Sequence, residues 1–153
     1  MLNFTFTLNS KPMSELVCGA YRFQAFSGDG PYINKRNYSC MKDIGALPPG
    51  DYLIVDRPWG GPRSIVYGMA KFKFLWFALY RLDNKIDDYT WCDGVERGNF
   101  RLHPQGTSSG ISLGCITLPN NIHFMMLRSI LLAHGESIYP GTDIETYGKI
   151  TVK

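Results

Sequence analysis

Hydrophobic and polar residues alternate strictly at the start of the chain, over residues 2–8. The Leu and Phe side chains fall on one side of an extended strand, and the Asn and Thr side chains fall on the other. Because successive side chains of a strand point to opposite faces, this alternation predicts a half-buried strand. Other apolar or β-branched runs, separated by turn-forming residues, predict further strands over residues 15–26, 51–56, 64–69, 72–82, 99–103, 114–118 and 145–152.

The periodicity changes after residue 119, where residues recur at helical spacing. The positions that predict one face of this helix are Ile122, Met125, Met126, Ser129, Ile130 and Ala133. Asn120 or Asn121 can cap its start, and Gly135 can end it. The pattern therefore predicts a mostly β (β-rich α+β) fold with one prominent C-terminal helix. No repeat, low-complexity tract or linker divides residues 1–153, so we expect a single domain.

Composition narrows the class of protein. Hydrophobic residues make up 44% of the 153 residues and charged residues 19%, which is typical of a globular domain and not of a disordered chain. The net charge of +3 favours a polyanionic partner such as a cell-wall polymer but is too small to indicate nucleic-acid binding. No apolar run reaches the length of a membrane span, and the first ten residues lack the pattern of a signal peptide.

The four cysteines are Cys18, Cys40, Cys92 and Cys115. They form no CxxC pair and no Cys/His cluster with zinc spacing, so we expect neither a structural metal nor another cofactor. If Cys115 stays a thiol, at most one disulfide can form among the other three. The sequence leaves the choice of that pair open.

His103 and Cys115 bracket a polar segment rich in Gly, Ser and Thr. A thiol is a strong nucleophile only after it loses its proton, and a nearby imidazole can accept that proton. If residues 99–103 and 114–118 are neighbouring strands, a connecting turn brings His103 and Cys115 together. Gly114 allows main-chain N–H groups to approach a substrate, and Ser112 can orient the imidazole. For an isolated His/Cys pair, however, a structural role is favoured by roughly ten to one.

The surrounding pattern favours the catalytic alternative. The segment "HPQGTSSGISLGCITL" resembles the active-site signature of the L,D-transpeptidase (YkuD-like) catalytic domain, in which a His precedes Ser/Thr-x-Gly-Cys. The matching residues are His103, Ser112, Gly114, Cys115 and Ile116. Upstream, "GALPPGDYLIVD" resembles the family's turn and strand at Pro48, Gly50 and Tyr52. The segment "DGVERGNFRLHPQGTSSGISLGCITLP" is similar to a signal-less branch that includes antibacterial effectors of the type VI secretion system.

This resemblance implies a single L,D-transpeptidase-like β-sandwich domain over residues 1–153 with a Cys115 nucleophile, a His103 base and no cofactor. The implied substrate is the tetrapeptide stem of peptidoglycan, cleaved by L,D-carboxypeptidase activity, exchanged by L,D-transpeptidase activity, or both. The resemblance also implies delivery by type VI secretion machinery into the periplasm of rival bacteria, and a cognate immunity protein in the producer. It implies no nucleic-acid partner.

Two positions depart from the family pattern. Leu113 stands where family members usually have His or Arg, and Thr117 stands where they often have Arg. Because both changes affect how a substrate carboxylate is held, Arg97 and Arg101 are candidates to compensate. The predicted substrate-contacting residues are Arg101, Arg97, Ser109, Thr117 and Trp59, the last as a surface for sugar stacking.

Other arrangements fit the sequence less well. A papain-like or NlpC/P60-type endopeptidase places its Cys before its His, and only His123 and His134 follow Cys115. The acidic residues Asp87, Asp88 and Asp93 are expected in a solvated loop, and Trp76 in the core. The non-enzymatic alternative is a catalytically inactive wall-binding or interaction domain with a slowly reacting thiol. The enzyme hypothesis predicts fast alkylation of Cys115 near neutral pH.

Overall fold

The computed structural model describes residues 1–58, 75–105 and 114–153. The described residues form one α-helix, two short 3-10 helices at Gly30–Tyr32 and Arg36–Tyr38, and twelve strands. The strands are β1 (Leu2–Phe6), β2 (Ser14–Cys18), β3 (Tyr21–Ala25), β4 (Gly50–Asp56), β5 (Phe77–Arg81), β6 (Tyr89–Cys92), β7 (Val95–Gly98), β8 (Arg101–Pro104), β9 (Ile116–Leu118), β10 (Ser137–Ile138), β11 (Glu145–Thr146) and β12 (Gly148–Val152). Helix α1 spans Asn121–His134. The predicted strand over residues 64–69 lies outside the described residues.

Eight strands form one sheet in the order β3-β2-β1-β12-β4-β5-β8-β9. The pairs β1–β12 and β8–β9 are parallel, and the other neighbours are antiparallel. The two outer strands also meet, because Phe26, just beyond β3, forms a bridge with Thr117 of β9 through hydrogen bonds of 3.0 and 2.8 Å. This contact pairs backbone groups that an open edge strand would leave exposed. The predicted mostly β fold with one prominent helix is confirmed for the described residues.

One face of the sheet and helix α1 enclose the main core. The sheet contributes fully buried side chains that include Phe6, Leu102 and Ile116, and the helix contributes Phe124, Leu127 and Leu131. Burying each such side chain stabilises the fold by about 1.5–3 kcal/mol. This packing fixes which face of strands β8 and β9 is turned away from the core.

The ends of helix α1 were predicted correctly, but its buried face was not. The Asn120 side chain accepts hydrogen bonds from the main-chain N–H groups of Ile122 and His123 at 2.9 and 3.1 Å, and Gly135 follows the last turn at a φ of 80°. Ile122 is nevertheless 72% exposed, and Met126 is 50% exposed. Apolar residues occupy both sides of this helix, so spacing alone could not identify the side that packs on the sheet.

Two other segments differ from the sequence-based prediction. The single strand expected over residues 15–26 is a hairpin of β2 and β3, which turns at Gly19 with a φ of 57°. The segment after Asp83, expected to be irregular, contains the hairpin β6–β7. Both errors have the same cause: a strand or turn that depends on pairing with a partner leaves only a weak local pattern.

A disulfide joins Cys40 to Cys92, across a sequence separation of 52 residues. It ties the segment after the second 3-10 helix to strand β6. This settles the pairing that the sequence left open, and it leaves Cys18 and Cys115 as thiols. Within the described residues, no helix is long and apolar enough to cross a membrane.

Candidate active site

Strands β8 and β9 bring His103 and Cys115 to the same face of the sheet. Leu102 pairs with Ile116 and His103 pairs with Thr117. Because Leu102 and Ile116 point into the core, alternation turns His103, Thr117 and Cys115 to the opposite face. The two strands are therefore neighbours in the sheet, as predicted.

The strands are parallel, which differs from the expected turn between them. A connection between parallel neighbours must return from the end of one strand to the start of the next. Cys115 consequently lies level with Arg101, one position before the Leu102–Ile116 pair, while His103 lies level with Thr117. Cys115 directly precedes β9, and its sulfur accepts a main-chain hydrogen bond from Arg101, two residues before His103 on β8.

His103 is held in a defined orientation. The residue is 7% exposed, and its Nδ1 lies 2.7 Å from the carbonyl oxygen of Pro104. Because a carbonyl can only accept, Nδ1 carries the proton of the neutral ring and Nε2 is left as the basic nitrogen. The hydroxyl of Thr117 lies 3.4 Å from Nε2. The residue that departs from the family pattern at position 117 therefore contacts the candidate base.

Trp76 completes the support of the imidazole. Its ring is stacked on the His103 ring with centroids 4.3 Å apart and an interplanar angle of 22°, and the Arg57 guanidinium lies 5.9 Å from its centroid. Trp76 is half-buried and not a core residue, which corrects the sequence-based expectation. The position follows from register, because Phe77 pairs with Leu102 and the preceding residue falls opposite His103.

Cys115 is a buried thiol whose sulfur lies 3.8 Å from the carbonyl oxygen of Asn99. Burial raises the pKa of Cys115 to about 11, although a main-chain hydrogen bond from Arg101 and the charges of Arg101 and Arg97 act in the opposite direction. The thiol is therefore protonated at neutral pH in the resting site. Fast alkylation near neutral pH stays a prediction of the enzyme hypothesis, and the burial of the thiol opposes it.

Arg101 is engaged by a carboxylate. Its two terminal nitrogens lie 2.6 and 2.8 Å from the two oxygens of Asp88, in a bidentate ion pair whose side chains are only 13% and 19% exposed. Burial lowers the pKa of Arg101, but the hydrogen bonds and charge of Asp88 outweigh that effect and raise it. Asp88 lies in the loop before β6, as predicted, but its carboxylate is ion-paired and mostly buried and not fully solvated.

Arg97 points inward from strand β7 and is 3% exposed. Its guanidinium donates to the main-chain carbonyls of Ser39, Gly45 and Ala46, the last two at 3.1 and 3.3 Å. Burial lowers the pKa of Arg97, and the neighbouring acidic groups oppose this shift. The side chain proposed from the sequence as a substrate contact is therefore bound to the backbone of a neighbouring segment.

Gly114 adopts a φ of 85°, a conformation that side chains other than glycine's rarely allow. A Cβ at this position would lie 2.8 Å from the Phe100 ring and would also collide with the Arg97 guanidinium. The glycine before the candidate nucleophile is thus required by both backbone conformation and packing.

The turn at Pro48 is attached to the site through Tyr52. The Tyr52 hydroxyl donates to the Pro48 carbonyl at 2.7 Å, and its ring meets Phe100 edge-on with centroids 5.9 Å apart. Phe100 in turn lies against Gly114. The turn motif therefore acts as a structural support for the segment that carries Cys115.

Four positions named from the sequence, Trp59, Ser109, Ser112 and Leu113, lie outside the described residues. Sequence reasoning missed the roles of Trp76, Asp88, Asn99 and Phe100. A signal was present only for Trp76, which precedes a buried strand residue and so falls on the face opposite the core. Among the described residues, no group of three His, Cys, Asp or Glu side chains could hold a metal ion.

Comparison with known proteins gives one match. Residues 21–142 match the model of the Tlde1 domain family. No curated protein and no solved structure matches the chain. The matched range covers most of the chain and includes every residue described above at the candidate site.

Proposed function

The chain belongs to the Tlde1 family of type VI secretion L,D-transpeptidase effectors, and from this premise we propose that it is a cysteine-dependent enzyme of peptidoglycan. The proposed substrate is the tetrapeptide stem, and the proposed activities are L,D-carboxypeptidase, L,D-transpeptidase exchange with a D-amino acid, or both. The observation that carries the proposal is the pairing of β8, which carries His103, with β9, which directly follows Cys115, together with the Nδ1 contact that makes Nε2 the basic nitrogen of His103.

The first chemical step forms a thioester. His103 Nε2 accepts the thiol proton of Cys115 while the sulfur attacks the carbonyl carbon of the third stem residue, at the L-centre of meso-diaminopimelate. Main-chain N–H groups around Gly114 and Cys115 stabilise the oxyanion. Collapse of this intermediate breaks the bond to the terminal D-Ala, whose amine leaves with the proton from His103.

The second step releases the enzyme. Water attacking the thioester gives a tripeptide stem, and a D-amino acid attacking it gives an exchanged tetrapeptide; either acceptor passes a proton through His103. Both outcomes remove donor tetrapeptides from cross-linking.

The remaining residues of the site have supporting roles in the proposal. Thr117 orients His103, as the 3.4 Å approach of its hydroxyl to Nε2 supports. Ser112 orients the imidazole or the substrate, and Ser109 and Trp59 contact the stem peptide or the glycan. The Arg101 guanidinium is already paired with Asp88. Arg101 therefore acts on Cys115 through its positive charge, which lowers the pKa of the thiol.

The Cys40–Cys92 disulfide supports action in an oxidising compartment such as the periplasm of the target cell, because disulfides persist there and are rare in the cytosol. A type VI effector is delivered by secretion machinery. A producer exposed to sibling attack then needs an immunity protein in its own periplasm.

The test is mass spectrometry of purified muropeptides incubated with the wild-type protein, with Cys115→Ala and with His103→Ala. We expect tetrapeptide loss with wild type and persistence with both variants. Cys18→Ala is the matched control, since Cys18 is a half-buried thiol on another strand, and it should retain activity. Tetrapeptides that persist with the wild-type protein would refute the mechanism.

The alternative is an inactive wall-binding domain on the same scaffold. The observation that favours it is the burial that raises the pKa of Cys115 to about 11, as for a structural cysteine. It predicts that Cys115→Ala leaves toxicity in the target periplasm unchanged, whereas the enzymatic proposal predicts that toxicity is lost.

A further inference from the structure

We propose that Arg97 is a positioning residue for Cys115 and that the Cys40–Cys92 disulfide holds Arg97 in place, so that the site is completed only after oxidation. The proposal concerns regulation of the site described above and rests on the proposed function. It links the 39–46 segment, the β6–β7 hairpin and Gly114.

The first link is a collar of carbonyls around the guanidinium. The carbonyl collar consists of the main-chain oxygens of Ser39, Gly45 and Ala46, and all of them accept from Arg97. Gly45 fits closely, because a Cβ there would lie 2.8 Å from the Met41 carbonyl and 3.2 Å from Arg97 Nη1. These partners are neutral. The described hydrogen bonds of Arg97 therefore go to groups that do not cancel its charge.

The second link is the disulfide. Cys40 directly follows Ser39 of the collar, and Cys92 lies on β6, which pairs with the strand that carries Arg97. Thr90 pairs with Arg97 across the hairpin, and Cys92 lies two residues further on the same inward side. The disulfide and the carbonyl collar thus connect the same segment to the same hairpin. Breaking the disulfide removes the covalent attachment beside Ser39, whereas the hydrogen bond from the Asp29 N–H to the Ile44 carbonyl and the burial of Ala46 hold the other end of the segment.

The third link reaches the nucleophile. The Arg97 guanidinium lies against Gly114, where any Cβ would collide with it, and 5.3 Å from the centroid of the Phe100 ring. Arg97 therefore packs directly against Gly114, the residue that precedes Cys115. Its positive charge also favours the thiolate, in opposition to burial. Among the described residues Arg97 forms no ion pair within 4.0 Å, and a buried cation bound only to neutral carbonyls is costly to the fold and typical of a functional site.

The redox consequence follows from these contacts. In a reducing cytosol the Cys40 and Cys92 thiols stay separate, and the Ser39 end of the segment can leave the guanidinium. In the target periplasm a thiol–disulfide exchange partner accepts two electrons and two protons from the two thiols, and the sulfur–sulfur bond forms. The attacking residue Cys115 stays a thiol throughout. A reductant that protects most cysteine enzymes should therefore inactivate this one.

Arg97 is tested by the pH profile of Cys115 alkylation, read by site-resolved mass spectrometry in a Cys18→Ser background. Arg97→Gln removes the charge and should slow alkylation at a fixed pH by roughly tenfold, with the midpoint moved to higher pH. Arg97→Lys should restore most of the rate, and Arg22→Gln, which removes an exposed cation on β3, should change nothing. An unchanged profile in Arg97→Gln would overturn the positioning role.

The disulfide is tested by treating the protein with a phosphine reductant and then with oxidised glutathione. We expect reduction to abolish tetrapeptide turnover and to raise the alkylation midpoint of Cys115. The far-ultraviolet circular dichroism spectrum should remain that of the folded protein, and oxidation should restore both turnover and midpoint. Cys40→Ser/Cys92→Ser should behave as the reduced protein in both oxidation states. A reduced protein that keeps the oxidised profile, or that loses activity only by global unfolding, would overturn the proposal.

The two hypotheses fail in different ways. If the oxidised wild-type protein leaves tetrapeptides unchanged, the proposed enzymatic function fails. The alkylation profiles still decide the role of Arg97 and of the disulfide, because they require no turnover of peptidoglycan.

Discussion

The protonation state of Cys115 gives the sharpest quantitative prediction. Burial raises the pKa of the Cys115 thiol from an ordinary 9.0 to about 11. Each unit lowers the thiolate fraction tenfold well below the pKa, so Cys115 should carry about 100-fold less thiolate at pH 7.5 than an ordinary exposed thiol. The shift corresponds to about 3 kcal/mol of preference for the protonated form.

The assay is the rate of iodoacetamide alkylation of the oxidised protein between pH 6 and 11.5. In a Cys18→Ser background Cys115 is the one remaining thiol, since the chain has four cysteines and two form the disulfide. We expect the rate to be low near neutral pH and to rise by about tenfold per unit towards a midpoint near 11. Glutathione under the same conditions supplies the reference rate for an exposed thiol.

A rate that reaches its plateau by pH 8 would refute this reasoning. Such a profile would mean that the site holds a preformed thiolate, and that the charges of Arg97 and Arg101 outweigh burial. The proton transfer to His103 assigned to the attack step would then precede substrate binding.

Four other changes test the remaining contacts. Trp76→Ala should lower kcat for tetrapeptide release by about tenfold or more with little effect on KM, because His103 loses its stacking partner. Trp76→Phe should recover most of the lost kcat, and an unchanged kcat in Trp76→Ala would contradict the role of Trp76 in orienting His103. Asp88→Asn should speed Cys115 alkylation at a given pH, since the Asp88 charge raises the pKa of Cys115. The control is Asp87→Asn, which removes a neighbouring carboxylate that pairs with the exposed Lys85. Cys40→Ser/Cys92→Ser should lower the free energy of unfolding in urea by about 4 kcal/mol, the loop-closure value for a separation of 52 residues, and a loss below about 1 kcal/mol would contradict it. Leu127→Ala should cost about 2–5 kcal/mol of unfolding free energy, and Met126→Ala less than about 1 kcal/mol; equal losses would refute the orientation of helix α1.

Local features of the chain were predictable because they depend on neighbours in sequence. The alternation over residues 2–8 fits strand β1, and Asn120 and Gly135 mark the ends of helix α1 because capping uses only adjacent backbone groups. The His103-to-Cys115 segment identified the candidate base and nucleophile by residue type and order. The family membership of residues 21–142 agrees with that reading at the level of the effector family.

What only the tertiary structure decided depends on pairing between distant segments. The register of β5 against β8 places Trp76 on His103, and the β6–β7 hairpin turns Arg97 inward to carbonyls more than fifty positions away. The partner of Cys92 and the buried face of helix α1 were likewise set by packing, because several cysteines and both helix faces were compatible with the local pattern. Residue type and order suggested which side chains react, but the parallel register of β8 and β9 determined their relative positions. That register depends on hydrogen bonds between the strands, which the sequence of either strand alone does not specify.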